Sequence, residues 1–195
     1  PNQYNNGIAG ASTGRGSLKF NSQGTKLAMT VFWPIGSHVL DFNKHEGTLG
    51  NPVKIASGFS SDINGYGVEF SPDDTKLYIS SENGLYQHDL LTSTTVSINT
   101  SRFKFAGLEK GRDGKIYVGK YSQSRDSYLG VIGNPNKTLS NGLSFNNNGL
   151  YVGDYVSYCI PHDIYCVPIK NNCQDFEIIS QPIPQEQCRQ ESFIL

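Results

Sequence analysis

Apolar and polar positions alternate along this chain in a pattern that returns four times. Leu18–Met29 reads LKFNSQGTKLAM and Val68–Ile79 reads VEFSPDDTKLYI. Leu108–Val118 reads LEKGRDGKIYV and Leu143–Val152 reads LSFNNNGLYV. Each begins with apolar side chains at alternate positions, passes through a polar break and resumes with a short run of β formers. Alternation with period two around a tight turn specifies a β-hairpin. The breaks carry turn chemistry. Pro72 presets φ near −65°, and Asp73 can hydrogen-bond the backbone ahead of it. Gly24 and Gly114 fall where positive φ is needed. Asn147 belongs to an Asn-Gly run that tolerates the left-handed region. Asp73, Asp113 and Asn147 are therefore expected to be turn residues and not metal ligands.

The four repeats start 50, 40 and 35 residues apart, close to the 40–45 residues of a four-stranded propeller blade. A second pair of strands is traceable behind each: 37–42 after the first, 84–90 and 95–98 after the second, 128–132 after the third. No segment has a period near 3.6, including Leu90–Ile98. The pattern predicts an all-β chain of about four propeller-type blades, belonging to a larger propeller. Residues 1–155 form the repeat region, with cores 18–29, 68–79, 108–118 and 143–152. Residues 156–195, which contain Pro161, Pro168, Pro182 and Pro184, form a Cys/Pro-rich extension or a divergent last blade. Four units with shrinking spacing are not expected to close a ring alone, and unpaired sheet edges need cover. Blades from outside the segment, other copies of the chain or the 156–195 tail are the candidates, in that order. The start at Pro1 reads as a processed, excised or partial chain.

Composition narrows the function classes. Charged residues make up 17% and the formal net charge is −1, so nothing draws the chain to nucleic acid. No apolar run nears the ~20 residues of a membrane-spanning helix. Gly (21), Tyr (11) and Phe (10) suit short strands and tight turns. Cys159, Cys166, Cys173 and Cys188 crowd into the final residues. An even, clustered count points to disulfides and an oxidising compartment. The alternatives are free thiols, or a zinc site with His162 that the long spacings disfavour. Three pairings are open; Cys159–Cys166 with Cys173–Cys188 closes the shortest loops. His38, His45, His88 and His162 are scattered, and His88–Asp89 is a candidate buried pair. Trp33 reads as packing between blades. No nucleophile elbow, phosphate loop or H-E-x-x-H is present.

Phe70–Ser80, FSPDDTKLYIS, resembles the repeat core of WD-repeat-like and YVTN-type β-propellers. Taken with Gly84–Leu90, Gly107–Val118 and Tyr128–Asn136, it is similar to consecutive stretches of large secreted proteins from bacteria that use type IX secretion. That resemblance implies a propeller fold and a secreted or cell-surface location. A propeller is a rigid frame whose loops hold partners, so the first expectation is a non-enzymatic binding or scaffold module, adhesion- or gliding-related, toward a protein or glycan or toward other segments of the same polypeptide. The resemblance assigns no catalytic residue and no cofactor. A second resemblance points to an enzyme. Ser140–Phe145 with Tyr151–Asp154 resembles a segment of Ca2+-dependent lactonase propellers, in which Asn141 and Asp154 would hold the metal that polarises a lactone carbonyl. A Glu from another blade would complete it, and Glu69 and Glu109 occupy equivalent repeat positions. Otherwise Asn141 and Gly142 form a turn before a strand, and Asp154 caps its end.

Overall fold

The computed structural model describes residues 16–31, 36–55, 65–81, 83–100, 104–121 and 127–153. Trp33, His162, Asp154 and all four cysteines lie outside them, as does the whole of the 156–195 extension. The described chain forms twelve strands: β1 (Gly16–Phe20), β2 (Lys26–Val31), β3 (Gly36–Asn43), β4 (Thr48–Ile55), β5 (Gly65–Phe70), β6 (Lys76–Ser81), β7 (Gly84–Asp89), β8 (Thr94–Asn99), β9 (Lys104–Lys110), β10 (Ile116–Tyr121), β11 (Tyr128–Gly133) and β12 (Ser144–Tyr151). They pair into three four-stranded antiparallel sheets, each a meander in chain order: β1-β2-β3-β4, β5-β6-β7-β8 and β9-β10-β11-β12. Each is a blade of the propeller type, and the all-β reading holds. The first strand of each blade is innermost, with β5 packing against both β1 and β9. β4 is an outer edge, where Pro52 leaves no central ladder bond unmade.

The first three repeats are hairpins built on one turn. The amide of Gly24 donates to the Asn21 carbonyl (3.0 Å), that of Asp74 to Ser71 (2.9 Å) and that of Gly114 to Gly111 (3.0 Å). The residue closing each turn has positive φ: 63° at Gly24, 58° at Asp74 and 75° at Gly114. Asp73 Oδ1 accepts the Thr75 amide (3.1 Å) and Asp113 Oδ1 the Lys115 amide (3.1 Å). Both are turn residues, as expected.

The fourth repeat differs from its expected form. Residues 144–151 are one strand, β12, on the outer edge of the third blade, so the described residues hold three blades and not four. Asn147–Gly149 do not turn the chain back; they bulge opposite Gly130, between the Val131–Asn146 and Leu129–Leu150 pairs. The bulge has its own support. Lys120 Nζ donates to the Asn147 carbonyl (2.6 Å) and to Asn148 Oδ1 (3.0 Å). A Cβ on Gly149 would lie 2.5 Å from Val131 Cγ2, so only glycine passes there.

The cores lie between blades. Ala28, Val39 and Ile55 of the first pack on Val68, Phe70, Leu77 and Ile79 of the second. Tyr78 and Leu85 on the other side of the second blade pack on Phe105, Leu108, Ile116 and Ile132 of the third. Burying each large side chain contributes about 1.5–3 kcal/mol. A hydroxyl at one repeat position straps neighbouring blades. Thr30 Oγ1 accepts the Ser17 amide (3.2 Å) and donates to the Tyr66 carbonyl of the next blade (3.4 Å). Ser80 Oγ accepts the Gly67 amide (2.9 Å) and donates to the Ala106 carbonyl. The third blade has Gly119 there. At Gly67 the strands approach so closely that a Cβ would sit 2.6 Å from the Ala106 carbonyl oxygen.

Replacing Ser80 by Ala leaves a buried amide and a buried carbonyl with one partner fewer. The S80A chain should lose about 1–3 kcal/mol of unfolding free energy by denaturant titration, with its circular dichroism unchanged.

Candidate functional site

Lys19, Glu69 and Glu109 are the same repeat position in three successive blades. Each follows an apolar residue on an innermost strand: Leu18, Val68 and Leu108. Alternation turns Val68 and Phe70 into the core between blades, so Glu69 points away from that core. All three side chains meet where the inner strands converge. Lys19 Nζ lies 2.6 Å from Glu109 Oε2 and 3.2 Å from Glu69 Oε2. Glu69 also accepts the Phe70 amide on Oε1 (3.0 Å) and the Lys110 amide on Oε2 (3.3 Å). Both glutamates are buried.

The electrostatics follow from burial. Loss of water pushes the Glu69 carboxyl above the ordinary glutamate range, against the opposing pull of the Lys19 charge. Burial alone would depress the Lys19 ammonium. Its hydrogen bond to Glu109 and the charge of Glu69 outweigh that and hold it above the ordinary lysine value. One cation thus serves two carboxylates. The ammonium occupies the space between the oxygens, which a divalent cation would need for itself. Among the described residues no group of three or more His, Cys, Asp or Glu side chains has metal-binding geometry.

The other sequence candidates lie elsewhere. Asn141 ends a short 3-10 turn, Leu139–Asn141, between β11 and the outer strand β12, and is exposed. Its amide donates to the Thr138 carbonyl (2.9 Å). The fold places it at the outer margin of the third blade, while Glu69 and Glu109 sit on inner strands, so it is not brought to them. His88 and Asp89 do not pair. As neighbours on a strand they take opposite faces: His88 Nδ1 meets Thr95 Oγ1 (2.9 Å) and Asp89 Oδ2 meets Lys76 Nζ (2.9 Å). The Lys76 bond, with the amides of Thr92 and Leu91, lowers the Asp89 pKa to about 2. Lys26 and Asp41 form the same pair in the first blade, at 2.9 Å. Sequence reasoning considered Glu69 and Glu109 and missed Lys19. Writing the repeats in one register was the signal that could have found it, because a lysine stands there where the other two blades have glutamate.

Fold and site together define a β-propeller-type blade array with an ion-paired centre. No family model matches the chain, and no curated protein is similar to it. Solved structures of similar fold include hydrazine synthase of Kuenenia stuttgartiensis (14% identity, TM-score 0.47, 71% of this chain and 36% of that one). Another is the extracellular domain of a hybrid two-component system protein from B. thetaiotaomicron (17%, 0.47, 66% and 16%). A third is a Bacteroides uniformis protein named for 6-phosphogluconolactonase (16%, 0.46, 77% and 43%). The chain spans less than half the length of each. At these identities the likeness is one of fold alone.

Replacing Lys19 by Met removes the ammonium bonded to both buried carboxylates. K19M should lose about 3–5 kcal/mol at pH 7 by urea unfolding. The deficit should shrink on acidification. The raised Glu69 pKa means the folded chain binds a proton that the unfolded chain still lacks, so stability rises as pH falls through the folded value toward the ordinary glutamate range.

Proposed function

We propose that this chain is a non-enzymatic binding and scaffold module of a β-propeller, working outside the cytoplasm on a protein or glycan at the cell surface. The observation that carries the reading is the filled centre. Where inner strands of a propeller hydrolase would converge oxygen ligands on a metal, this chain places the Lys19 ammonium, bonded to both carboxylates. Among the described residues no positioned nucleophile or open carboxylate pair stands beside it.

Further support comes from rigidity at the turn end of the blades. The Ser22 amide and hydroxyl both donate to Asp74 (3.0 and 2.5 Å), tying the first turn to the second. The Asp73 amide donates to Asn136 Oδ1 (3.2 Å), tying the second to the third blade. A frame pinned in this way suits the holding of partners on its loops. The likeness of Phe70–Ser80 and the stretches after it to secreted propellers supports the location and a role in adhesion or gliding. Among the described residues no helix is long and apolar enough to cross a membrane.

Calcium titration by calorimetry, paired with a lactone-hydrolysis assay, tests this reading. The chain should show no saturable calcium binding at or below ~1 mM, the weak end of protein calcium sites, and no turnover. Saturable binding that E69Q or N141A abolishes, together with hydrolysis, would establish the lactonase chemistry instead.

A further inference from the structure

Three Asn-Gly pairs stand among the described residues: Asn83-Gly84, Asn141-Gly142 and Asn148-Gly149. Such a pair can react with itself. Glycine has no side chain to hinder its backbone nitrogen as that nitrogen approaches the carboxamide before it, and ring closure within one dipeptide needs no second molecule brought into place. The three pairs differ in how the fold holds them.

Two are pinned. Asn83 lies in the tight turn between β6 and β7. Its amide donates to Ser81 Oγ (3.1 Å), which donates in turn to the Gly84 carbonyl (3.3 Å). Gly84 pairs with Ser81 in the ladder, and a Cβ there would sit 2.6 Å from the Asn99 carbonyl oxygen. Asn148 lies in the β12 bulge. Its Oδ1 accepts from Lys120 Nζ (3.0 Å), and its amide donates to Asn146 Oδ1 (3.0 Å). Gly149 is wedged against Val131.

Asn141-Gly142 stands between two fixed posts. Before it, the Tyr78 hydroxyl donates to the Pro135 carbonyl (2.6 Å) and Gln87 Nε2 to the Lys137 carbonyl (2.7 Å). After it, Leu143 is buried. The residues between, Leu139 to Gly142, are exposed. Among the described residues no partner meets the Asn141 carboxamide, and a Cβ on Gly142 would meet nothing within 4 Å. The 3-10 turn that Asn141 ends is three residues long and has no side-chain cap. A turn so short can open without disturbing a blade.

We propose that Asn141 is a self-modifying site, an asparagine that converts to isoaspartate and aspartate through a succinimide while the blades stay folded. The Gly142 nitrogen gives its proton to solvent and forms a bond to Asn141 Cγ. The Cγ–Nδ2 bond breaks, and ammonia leaves with a proton taken from solvent. Water then opens the ring. Cleavage between the Gly142 nitrogen and Cγ yields aspartate; cleavage between that nitrogen and the main-chain carbonyl carbon of Asn141 yields isoaspartate. Either product adds a negative charge to a chain whose formal net charge is −1. The charge arises on the connection that carries Asn136, the anchor of the third blade to Asp73.

Peptide mapping by mass spectrometry reads the three pairs separately as the full chain ages in mildly alkaline buffer. In the folded chain the Asn141-Gly142 peptide should gain the mass that separates a carboxyl from a carboxamide at least about tenfold faster than the other two. Both isoaspartate and aspartate should form, with the circular dichroism spectrum unchanged. In guanidinium the three rates should converge, because only the fold distinguishes the pairs. N141Q, whose ring would be larger, should lose the early conversion. The proposal is overturned if Asn141 converts no faster than Asn83 or Asn148 in the folded chain. Aspartate without isoaspartate overturns it too, since that marks direct hydrolysis and not a ring. So does a preference for Asn141 that persists in the unfolded chain. The result is independent of the calcium titration, so failure of either reading leaves the other standing.

Discussion

A four-stranded sheet with apolar side chains on both faces is stable in water only when each face is covered. The second blade of this chain meets that condition from within. Val68 and Phe70 lie under the first blade, and Tyr78 and Leu85 lie against the third. Much of the rest serves that stacking. Gly67 lets the inner strands of the second and third blades approach to where any side chain would collide. The hydroxyls of Thr30 and Ser80 then satisfy backbone groups that the approach removes from water. In the first blade Leu18 and Phe20, at the positions of Val68 and Phe70, are exposed instead.

Stacking also creates the electrostatic problem at the centre. Strands that alternate apolar residues into the blade joints direct the intervening positions toward one another. With glutamate in two blades, burial sets two like charges in a poorly hydrated space. Lys19 resolves it by bonding to both, while backbone amides of Phe70 and Lys110 complete the shell of Glu69. The cluster is costly to disrupt, and its charges are committed to one another. It therefore registers the blades against one another.

Much of this fold was legible in the sequence. The hairpins at 18–29, 68–79 and 108–118 were readable because period-two alternation and turn residues agree in each. The strand at 143–152 was misread for a local reason. Asn146–Gly149 carries turn chemistry, but Lys120, distant in sequence, holds that run in a bulge and lets the strand continue along β11. β4 escaped notice because it is an exposed edge whose Gly50, Asn51 and Pro52 disguise it. At the site, repeat register aligned Glu69 with Glu109, yet no local signal marked Lys19 as their partner. Asn141 looked like a ligand beside them because sequence order does not tell an inner strand from an outer one.

The central claim is that position in the stack, and not the residue itself, decides what a side chain contributes. Phe20 and Phe70 are the same residue at the same repeat position, one open and one covered. Denaturant unfolding of F20A and F70A compares them directly. F70A should lose about 3–5 kcal/mol, as for an aromatic removed from a packed core, and F20A less than about 1 kcal/mol, as for a surface substitution. Equal losses would contradict the account.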